Sequence, residues 1–197
     1  MIEIICHRRN DINSLISTPI KYGVEVDLRT YNSKLIINHD PFEDGVRFKE
    51  WINFYNHGTL ILNVKEDGLE EQIISLLNKN NISSFFFLDQ AFPTIIKMIR
   101  NGESRCALRV SEYETIENIL KLSNKLDWVW LDMFTKFPIT FEEYLKIKKA
   151  NFKICLVSPE LQGLENMDIP SLKNYLIYKG IKVDAVCTKY PDKWENF

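Results

Sequence analysis

The chain has 197 residues, which suits one domain and leaves no room for a second folded domain. Hydrophobic residues make up 45% and charged residues 26%, so the chain can close a substantial core and is not disordered. The 27 acidic and 25 basic side chains leave a net charge of -2, which argues against a partner such as nucleic acid or an anionic membrane; any phosphate recognition must be local.

Eight short apolar, β-branched runs predict strands, and most are followed by a longer stretch with helical spacing. The predicted strands cover residues 2–6, 24–28, 60–64, 85–88, 106–110, 128–131, 154–157 and 183–187. The predicted helices cover residues 11–21, 48–55, 69–80, 93–100, 112–126, 141–150 and 171–179. An extra run at 35–38 follows a polar, turn-like stretch and predicts a hairpin-like extension of the second strand.

Two helix boundaries carry their own signals. Ser111 followed by Glu114 resembles a capping box and predicts a helix start, while Gly102 follows a basic last turn and predicts a helix end. Repeated βα units are typical of a parallel sheet with helices packed against it. We therefore expect βα units along the whole chain.

Eight βα units predict a single-domain (β/α)₈ TIM barrel over residues 1–197, with short loops because this length is near the lower end for that fold. A doubly wound open sheet is the alternative. Such a sheet usually has a Gly-rich phosphate loop after its first strand, and this chain has His7, Arg8 and Arg9 there.

The N-terminus and the cysteines favour a cytoplasmic protein. Residues 1–5 enter a strand at once, without the basic and long apolar regions of a secretory signal. No apolar run approaches the roughly 20 residues of a membrane-spanning helix, so no stable membrane association is expected. The cysteines lie far apart and form no CxxC pair, which predicts reduced, mostly buried thiols at Cys6, Cys106, Cys155 and Cys187.

Polar residues gather where the early strands end, which in a barrel is the face that holds active sites. Glu25 and Asp27 alternate along the second predicted strand, so both carboxylates point to one face. Two inward carboxylates are costly to bury unless a cation neutralises them. Oxygen ligands without nearby thiolates favour Mg²⁺ or Ca²⁺ over Zn²⁺.

Two histidines, this carboxylate pair and nearby Arg and Lys donors supply what cleavage of a phosphodiester needs. The histidines can give and take protons, the metal acts as Lewis acid, and the cations stabilise developing negative charge. The alternative is a structural salt-bridge network of Glu25 and Asp27 with Arg8, Arg29 and Lys65.

The order of these motifs resembles that of glycerophosphodiester phosphodiesterases. That order is a His-Arg dipeptide at His7, an Asn-centred turn at Asn13, a Glu-x-Asp pair at Glu25, and a His-Asp dipeptide at His39. Weaker matches follow at residues 62–65 and 183–191. The resemblance implies a barrel fold and a phosphoric diester hydrolase of a small-molecule substrate.

The resemblance also implies roles for individual residues. It makes His7 and His39 the acid/base pair and Glu25 and Asp27 metal ligands, and it places Arg8 and Lys65 on the phosphate. Asn13 or water would complete the metal shell or contact substrate.

Three departures from the family pattern matter. Arg9 replaces a usual Gly, Asn63 replaces a usual metal-binding Glu, and the insertion that normally follows the His-Asp dipeptide is nearly absent. Asn63 is thus expected as a neutral third ligand of a weaker metal site. The short loop after Pro41 predicts a shallow site for small water-soluble diesters rather than intact lipids. Asp132 and Glu160, at later strand ends, are further candidates for substrate contact.

A second hypothesis follows from the changes at Arg9 and Asn63. A protein of this fold could keep the phosphate pocket and lose turnover, and would then be a phosphate-binding module. Product formation from glycerophosphodiesters distinguishes the two.

Overall fold

Short parallel strands with buried side chains form the core of this chain. The computed structural model describes residues 2–164 and 168–197. These divide into two compact units, one of Ile5–Gly102 and one of Met1–Ile4 with Glu103–Phe197. A single domain over residues 1–197 stays a prediction.

The unit Ile5–Gly102 contains a parallel sheet extended by a hairpin. Its strands are β1 (Glu3–Cys6, which begins in the other unit), β2 (Gly23–Tyr31), β3 (Lys34–Ile37), β4 (Val46–Arg47), β5 (Leu60–Val64) and β6 (Phe85–Leu88). β2 pairs in parallel with β1 and β5, and β5 pairs in parallel with β6. Every residue of β5 and β6 is buried, as a strand covered on both faces requires.

The predicted hairpin extension is confirmed. β3 runs antiparallel to the end of β2, with Tyr31 opposite Lys34. The two turn residues, Asn32 and Ser33, both have positive φ, the backbone twist that tight hairpins favour. The short strand β4 continues this ribbon and was not predicted, because two residues carry no readable period.

The helices of this unit are α1 (Ile12–Ser17), α2 (Phe48–Trp51, followed by a 3₁₀ turn at Ile52–Phe54), α3 (Glu70–Lys79) and α4 (Phe92–Arg100). α1 ends four residues earlier than predicted. Thr18 is extended because it precedes Pro19, whose ring disfavours helical backbone in the residue before it. Gly102 follows α4 with a φ of +81°, as the predicted helix end requires.

The other unit has four parallel strands in chain order: β7 (Ala107–Val110), β8 (Trp128–Leu131), β9 (Lys153–Val157) and β10 (Ala185–Thr188). Its helices are α5 (Ile116–Leu120), α6 (Phe141–Lys149) and α7 (Ile169–Lys179), with 3₁₀ turns at Pro159–Leu161 and Pro191–Trp194. The backbone N–H of Glu3 donates to Asp184 O, so β1 begins beside β10.

The helix predicted over 112–126 is present but shorter, and its predicted capping box is wrong. Ser111 and Glu114 exchange backbone hydrogen bonds in a tight turn, and Ser111 Oγ donates to Glu114 Oε2 at 2.8 Å. This local pairing competes with helical backbone. The helix starts only after Thr115 and ends at Leu120.

The fold is mixed α/β and the predicted strands of each unit pair in parallel, but the predicted closed barrel needs correction. Among the described residues β6 pairs with β5 and β7 pairs with β8, and these pairings do not complete a ring. β7 has the burial of an edge strand, because Leu108 and Arg109 are only half-buried whereas all of β8 is buried.

The cysteines and the length of the helices bear on two further expectations. All four cysteines are free and buried, as predicted. In the described part of the chain, no helix has the length and apolar character to span a membrane.

Candidate active site

A buried pair of carboxylates lies in the middle of the unit Ile5–Gly102. Glu25 and Asp27 alternate along β2 and are almost completely buried. The parallel register sets Asp27 beside Asn63 of β5. Alternation and register together therefore gather two carboxylates and an amide near the carboxyl end of the β2–β5 pair.

Asp27 is surrounded by donors. Its Oδ2 accepts a hydrogen bond from Asn10 Nδ2 at 2.8 Å and lies 3.5 Å from Arg8 Nε. Its Oδ1 lies 3.1 Å from Lys65 Nζ. The backbone N–H of Asp27 donates to Asn10 Oδ1 at 3.1 Å, so Asn10 and Asp27 hold each other through two hydrogen bonds.

Glu25 has a much poorer environment for its charge. Burial first, and the charge of Asp27 second, raise the pKa of Glu25 to about 7. The backbone N–H of Arg8, which donates to Glu25 Oε2 at 2.8 Å, the ammonium of Lys65 and the polar side chain of Asn63 oppose that rise. A carboxylate kept so dry favours a proton or a bound cation.

The turn after β1 brings the backbone to Glu25. Arg8 has a φ of +51°, an uncommon left-handed conformation for a bulky residue, and this aims its N–H at the Glu25 carboxylate. Arg9 N donates to Glu25 O at 2.8 Å. The Arg9 side chain points away from Glu25 and donates hydrogen bonds to Thr18 Oγ1 and His7 O. Arg9, which replaces the usual Gly of the family pattern, therefore stabilises the end of α1.

The two predicted catalytic histidines have different partners. His7 Nε2 lies 3.8 Å from Glu25 Oε2, so this ring belongs to the carboxylate cluster. His39 Nδ1 contacts Asp40 Oδ1 at 2.8 Å, and its side chain is 41% exposed. The backbone N–H of Asn38 donates to Asp27 O, so the loop with His39, which follows β3, begins beside Asp27 of β2.

Arg29 supports that loop rather than the carboxylates. Its guanidinium donates to Asn38 O at 3.1 Å and to His39 O at 2.9 Å. The ion pairs of Asp27 with Arg8 and Lys65 agree with the salt-bridge alternative; the contacts of Arg29 and the poorly compensated Glu25 do not.

The residues present fit a hard divalent cation. Three buried side-chain oxygens of this site accept no hydrogen bond: Glu25 Oε1, Asn63 Oδ1 and Asp27 Oδ1, the last of which has Lys65 Nζ as an ion-pair partner at 3.1 Å. Carboxylate and amide oxygens are the ligands that Ca²⁺ and Mg²⁺ prefer. No cluster of three or more His, Cys, Asp or Glu suited to a metal occurs in residues 2–164 and 168–197, so the charged donors here number two.

Asn10 was missed by sequence reasoning, and Asp89, after a later strand, has only a weak signal in the sequence. Asn10 holds Asp27, whereas Asn13, predicted at the site, is exposed in α1. Asp89 follows β6, and its Oδ2 lies 3.8 Å from Lys65 Nζ. Both follow a strand end, which is the sequence signal that points to Asp89 and could have pointed to Asn10.

Asp132 and Glu160, the later candidates, lie in the other unit and are held by protein groups. Asp132 accepts hydrogen bonds from Arg109 and Gln162. Glu160 accepts from Thr188 Oγ1 at 2.6 Å and from Ser158 Oγ. Their contact with substrate stays a prediction.

Fold and site together define a parallel α/β protein with a buried carboxylate pair and adjacent histidine and cations. The chain is similar to the crystal structure of a glycerophosphodiester phosphodiesterase from Agrobacterium tumefaciens, with a TM-score of 0.66 and 13% identity over 98% of this chain and 97% of that chain. It is also similar to a glycerophosphoryl diester phosphodiesterase from Parabacteroides distasonis, with a TM-score of 0.63 and 15% identity over 98% of this chain and 84% of that chain. No protein-family model and no curated protein matches the sequence. The structural neighbours belong to the family that the motifs resemble, and at these identities the likeness establishes the fold.

Proposed function

We propose that this chain is a metal-dependent phosphodiesterase that cleaves a glycerophosphodiester or a related small phosphodiester. The observation that carries the proposal is the group of buried oxygens on Glu25, Asp27 and Asn63 that accept no hydrogen bond. The two solved structures that share the fold are described as phosphodiesterases of this kind, which supports the reaction class.

Glu25, Asp27 and Asn63 would hold Mg²⁺ or Ca²⁺. When bound, such a cation supplies Lewis-acid polarisation of a non-bridging phosphate oxygen. The neutral amide of Asn63 leaves two negative charges in the ligand set. Ca²⁺ accepts mixed carbonyl and water shells more readily than Mg²⁺, so we favour Ca²⁺ and a weak site.

The histidines provide the proton transfers. The Asp40 contact occupies Nδ1 of His39 and fixes the orientation of the ring, so proton exchange takes place at Nε2. The hydrogen bond from His39 lowers the pKa of the Asp40 carboxyl and keeps it ionised. One histidine takes a proton from water or a neighbouring substrate hydroxyl, and the other gives one to the leaving alkoxide. Attack by the hydroxyl gives a cyclic phosphate first.

Arg8 and Lys65 are the cations available to the phosphate. The Arg8 side chain is 45% exposed, so its guanidinium can contact a ligand while its Nε stays near Asp27. The loop after His39 is short, and Phe42 within it is 94% exposed. An open site of this kind suits small soluble diesters.

The proposal is tested by incubating the protein with Ca²⁺ or Mg²⁺ and a panel of glycerophosphodiesters, with product detected by phosphorus NMR. His39→Ala should lose about 10²–10⁴-fold in rate, the usual contribution of an acid/base group. His57→Ala is the matched control, because His57 binds Thr18 O and has no role in the proposed chemistry. Equal rates in both variants would contradict the histidine assignment.

Asp27→Asn tests the metal ligands. We expect a folded protein that no longer responds to added metal. An unfolded variant, together with a wild type that is indifferent to metal, would favour the salt-bridge alternative.

A phosphate-binding module is the second candidate. It is favoured by the ion pairs of Asp27 with Lys65 and Arg8, which give this carboxylate internal cations. Tight binding of a phosphodiester without product, at any metal concentration, would support the module over the enzyme.

A further inference from the structure

The Lys65 side chain lies between two carboxylates of the same unit. Its Nζ is 3.1 Å from Asp27 Oδ1 and 3.8 Å from Asp89 Oδ2. The backbone N–H of Lys65 donates to Leu28 O at 2.8 Å, so the backbone is fixed while the flexible four-carbon stem can move. One ammonium therefore has two acceptors within reach and lies nearer to Asp27.

The nearer acceptor is also a proposed metal ligand. Asp27 Oδ2 is engaged by Asn10 and Arg8, whereas Oδ1 accepts no hydrogen bond and faces Lys65. Coordination by Asp27 thus requires Oδ1. A divalent cation there would lie beside the ammonium of Lys65, and like charges repel strongly where water is largely excluded. The metal and Lys65 compete for one oxygen.

We propose that Lys65 is a tethered counter-ion that neutralises Asp27 in the metal-free protein and moves to Asp89 when a divalent cation binds. The inference rests on the proposed function, because it takes Glu25, Asp27 and Asn63 as the ligands. Asp89 directly follows β6, the strand paired with β5, so the second acceptor needs no backbone movement to receive the ammonium.

This arrangement makes the metal affinity depend on two residues that need not touch the metal. Lys65 weakens binding because it must be displaced from Asp27. Asp89 restores part of the affinity because it stabilises the displaced ammonium. A purely structural role for either residue would not couple their effects.

Calorimetric titration of Ca²⁺ into the wild type, Lys65→Gln, Asp89→Asn and the double variant tests the inference. Glutamine can still donate to Asp27 but carries no charge, so the Kd of Lys65→Gln should fall about tenfold or more. Asp89→Asn should raise the Kd about threefold to tenfold while Lys65 is present, and should have no effect in the Lys65→Gln background.

Lys97→Gln is the matched control. It removes one positive charge from the same unit at an exposed pair, where Lys97 Nζ lies 3.6 Å from Glu71 Oε1. Its Kd should equal that of the wild type, because exposed charges far from the ligand are screened by salt.

The outcomes separate this inference from the proposed function. Equal Ca²⁺ affinity in the wild type and Lys65→Gln, or the same effect of Asp89→Asn in both backgrounds, overturns the counter-ion role and leaves the phosphodiesterase proposal intact. Failure of every variant to bind Ca²⁺ or Mg²⁺ overturns both. If Lys65→Gln does not fold, Lys65→Met takes its place in the same cycle: an effect of Asp89→Asn that needs Lys65 supports the role, and an equal effect in both backgrounds overturns it.

Discussion

Replacement of Glu25 by Gln should stabilise the metal-free protein in a pH-dependent way. Burial and the charge of Asp27 raise the pKa of Glu25 from 4.5 to about 7. The folded protein therefore holds a proton that the unfolded chain has already released at intermediate pH. By proton linkage, the free energy of unfolding must fall as the pH rises from about 4.5 to about 7.

The size of the effect follows from the shift. A difference of about 2.5 pKa units corresponds to about 3 kcal/mol, since one unit is about 1.4 kcal/mol. That is a large part of the roughly 5–15 kcal/mol by which domains are stable. Glutamine has nearly the same shape and can still accept the hydrogen bond from the Arg8 N–H. The variant should match the wild type near pH 4 and exceed it by about 3 kcal/mol at pH 8.

Urea unfolding of both proteins in EDTA, between pH 4.5 and pH 8, measures this difference. Titration of groups that do not interact with Glu25 cancels when the two curves are subtracted. Added Ca²⁺ should reverse the order at pH 8, because the wild type alone keeps both charged ligands. A difference that does not change with pH, or a variant less stable at pH 8 without metal, would refute the account of Glu25.

Three further changes test other parts of the structure. Glu112→Gln should show the opposite pH dependence. Burial would raise the pKa of Glu112, but the backbone N–H groups of residues 134–136 lower it to about 2. The stabilisation by Glu112 is therefore present above pH 4.5 and is lost as the pH falls to about 2, which urea unfolding of the wild type and the variant measures. Gly23→Ala would bring a Cβ within 2.5 Å of Thr59 O and should lower the free energy of unfolding by roughly 1–3 kcal/mol. An unchanged urea midpoint would show that the backbone at Gly23 and Thr59 can move apart at little cost. Asn63→Asp should tighten Ca²⁺ binding about tenfold in calorimetry, and an unchanged affinity would mean that this side chain does not face the metal.

The strands could be predicted because burial on both faces of a parallel sheet demands continuous apolar runs. Three predicted ranges, 60–64, 85–88 and 128–131, match β5, β6 and β8 at both ends. Helix lengths were less predictable. α5 is shortened by the pairing of Ser111 with Glu114, a local side-chain and backbone competition that apolar periodicity does not register.

Some residues of the candidate site could likewise be predicted from the sequence, and others could not. Glu25 and Asp27 could be placed on one face because strand alternation fixes side-chain direction. Strand alternation could not place Asn10 and Asp89. Asn10 comes after Arg8, which has a left-handed backbone with a φ of +51°, and Asp89 itself is left-handed with a φ of +60°. A single residue of that kind redirects the chain, and no periodic pattern encodes it.

The neutral side chain of Asn63 and the Lys65 ammonium beside Asp27 both affect the net charge of the site. With Glu25 ionised, the cations Arg8 and Lys65 equal the carboxylates Glu25 and Asp27 in number, and Asp89 adds one further negative charge beside Lys65. A third carboxylate at position 63 would add a negative charge that attracts a dication, and the amide of Asn63 lacks that charge. A cation therefore binds more favourably if a positive group leaves Asp27 or if an anion arrives with it. Lys65, with Asp89 as a second acceptor, meets the first condition, and the phosphate of a diester substrate meets the second. If the proposed function holds, we therefore expect metal and phosphodiester binding to depend on each other.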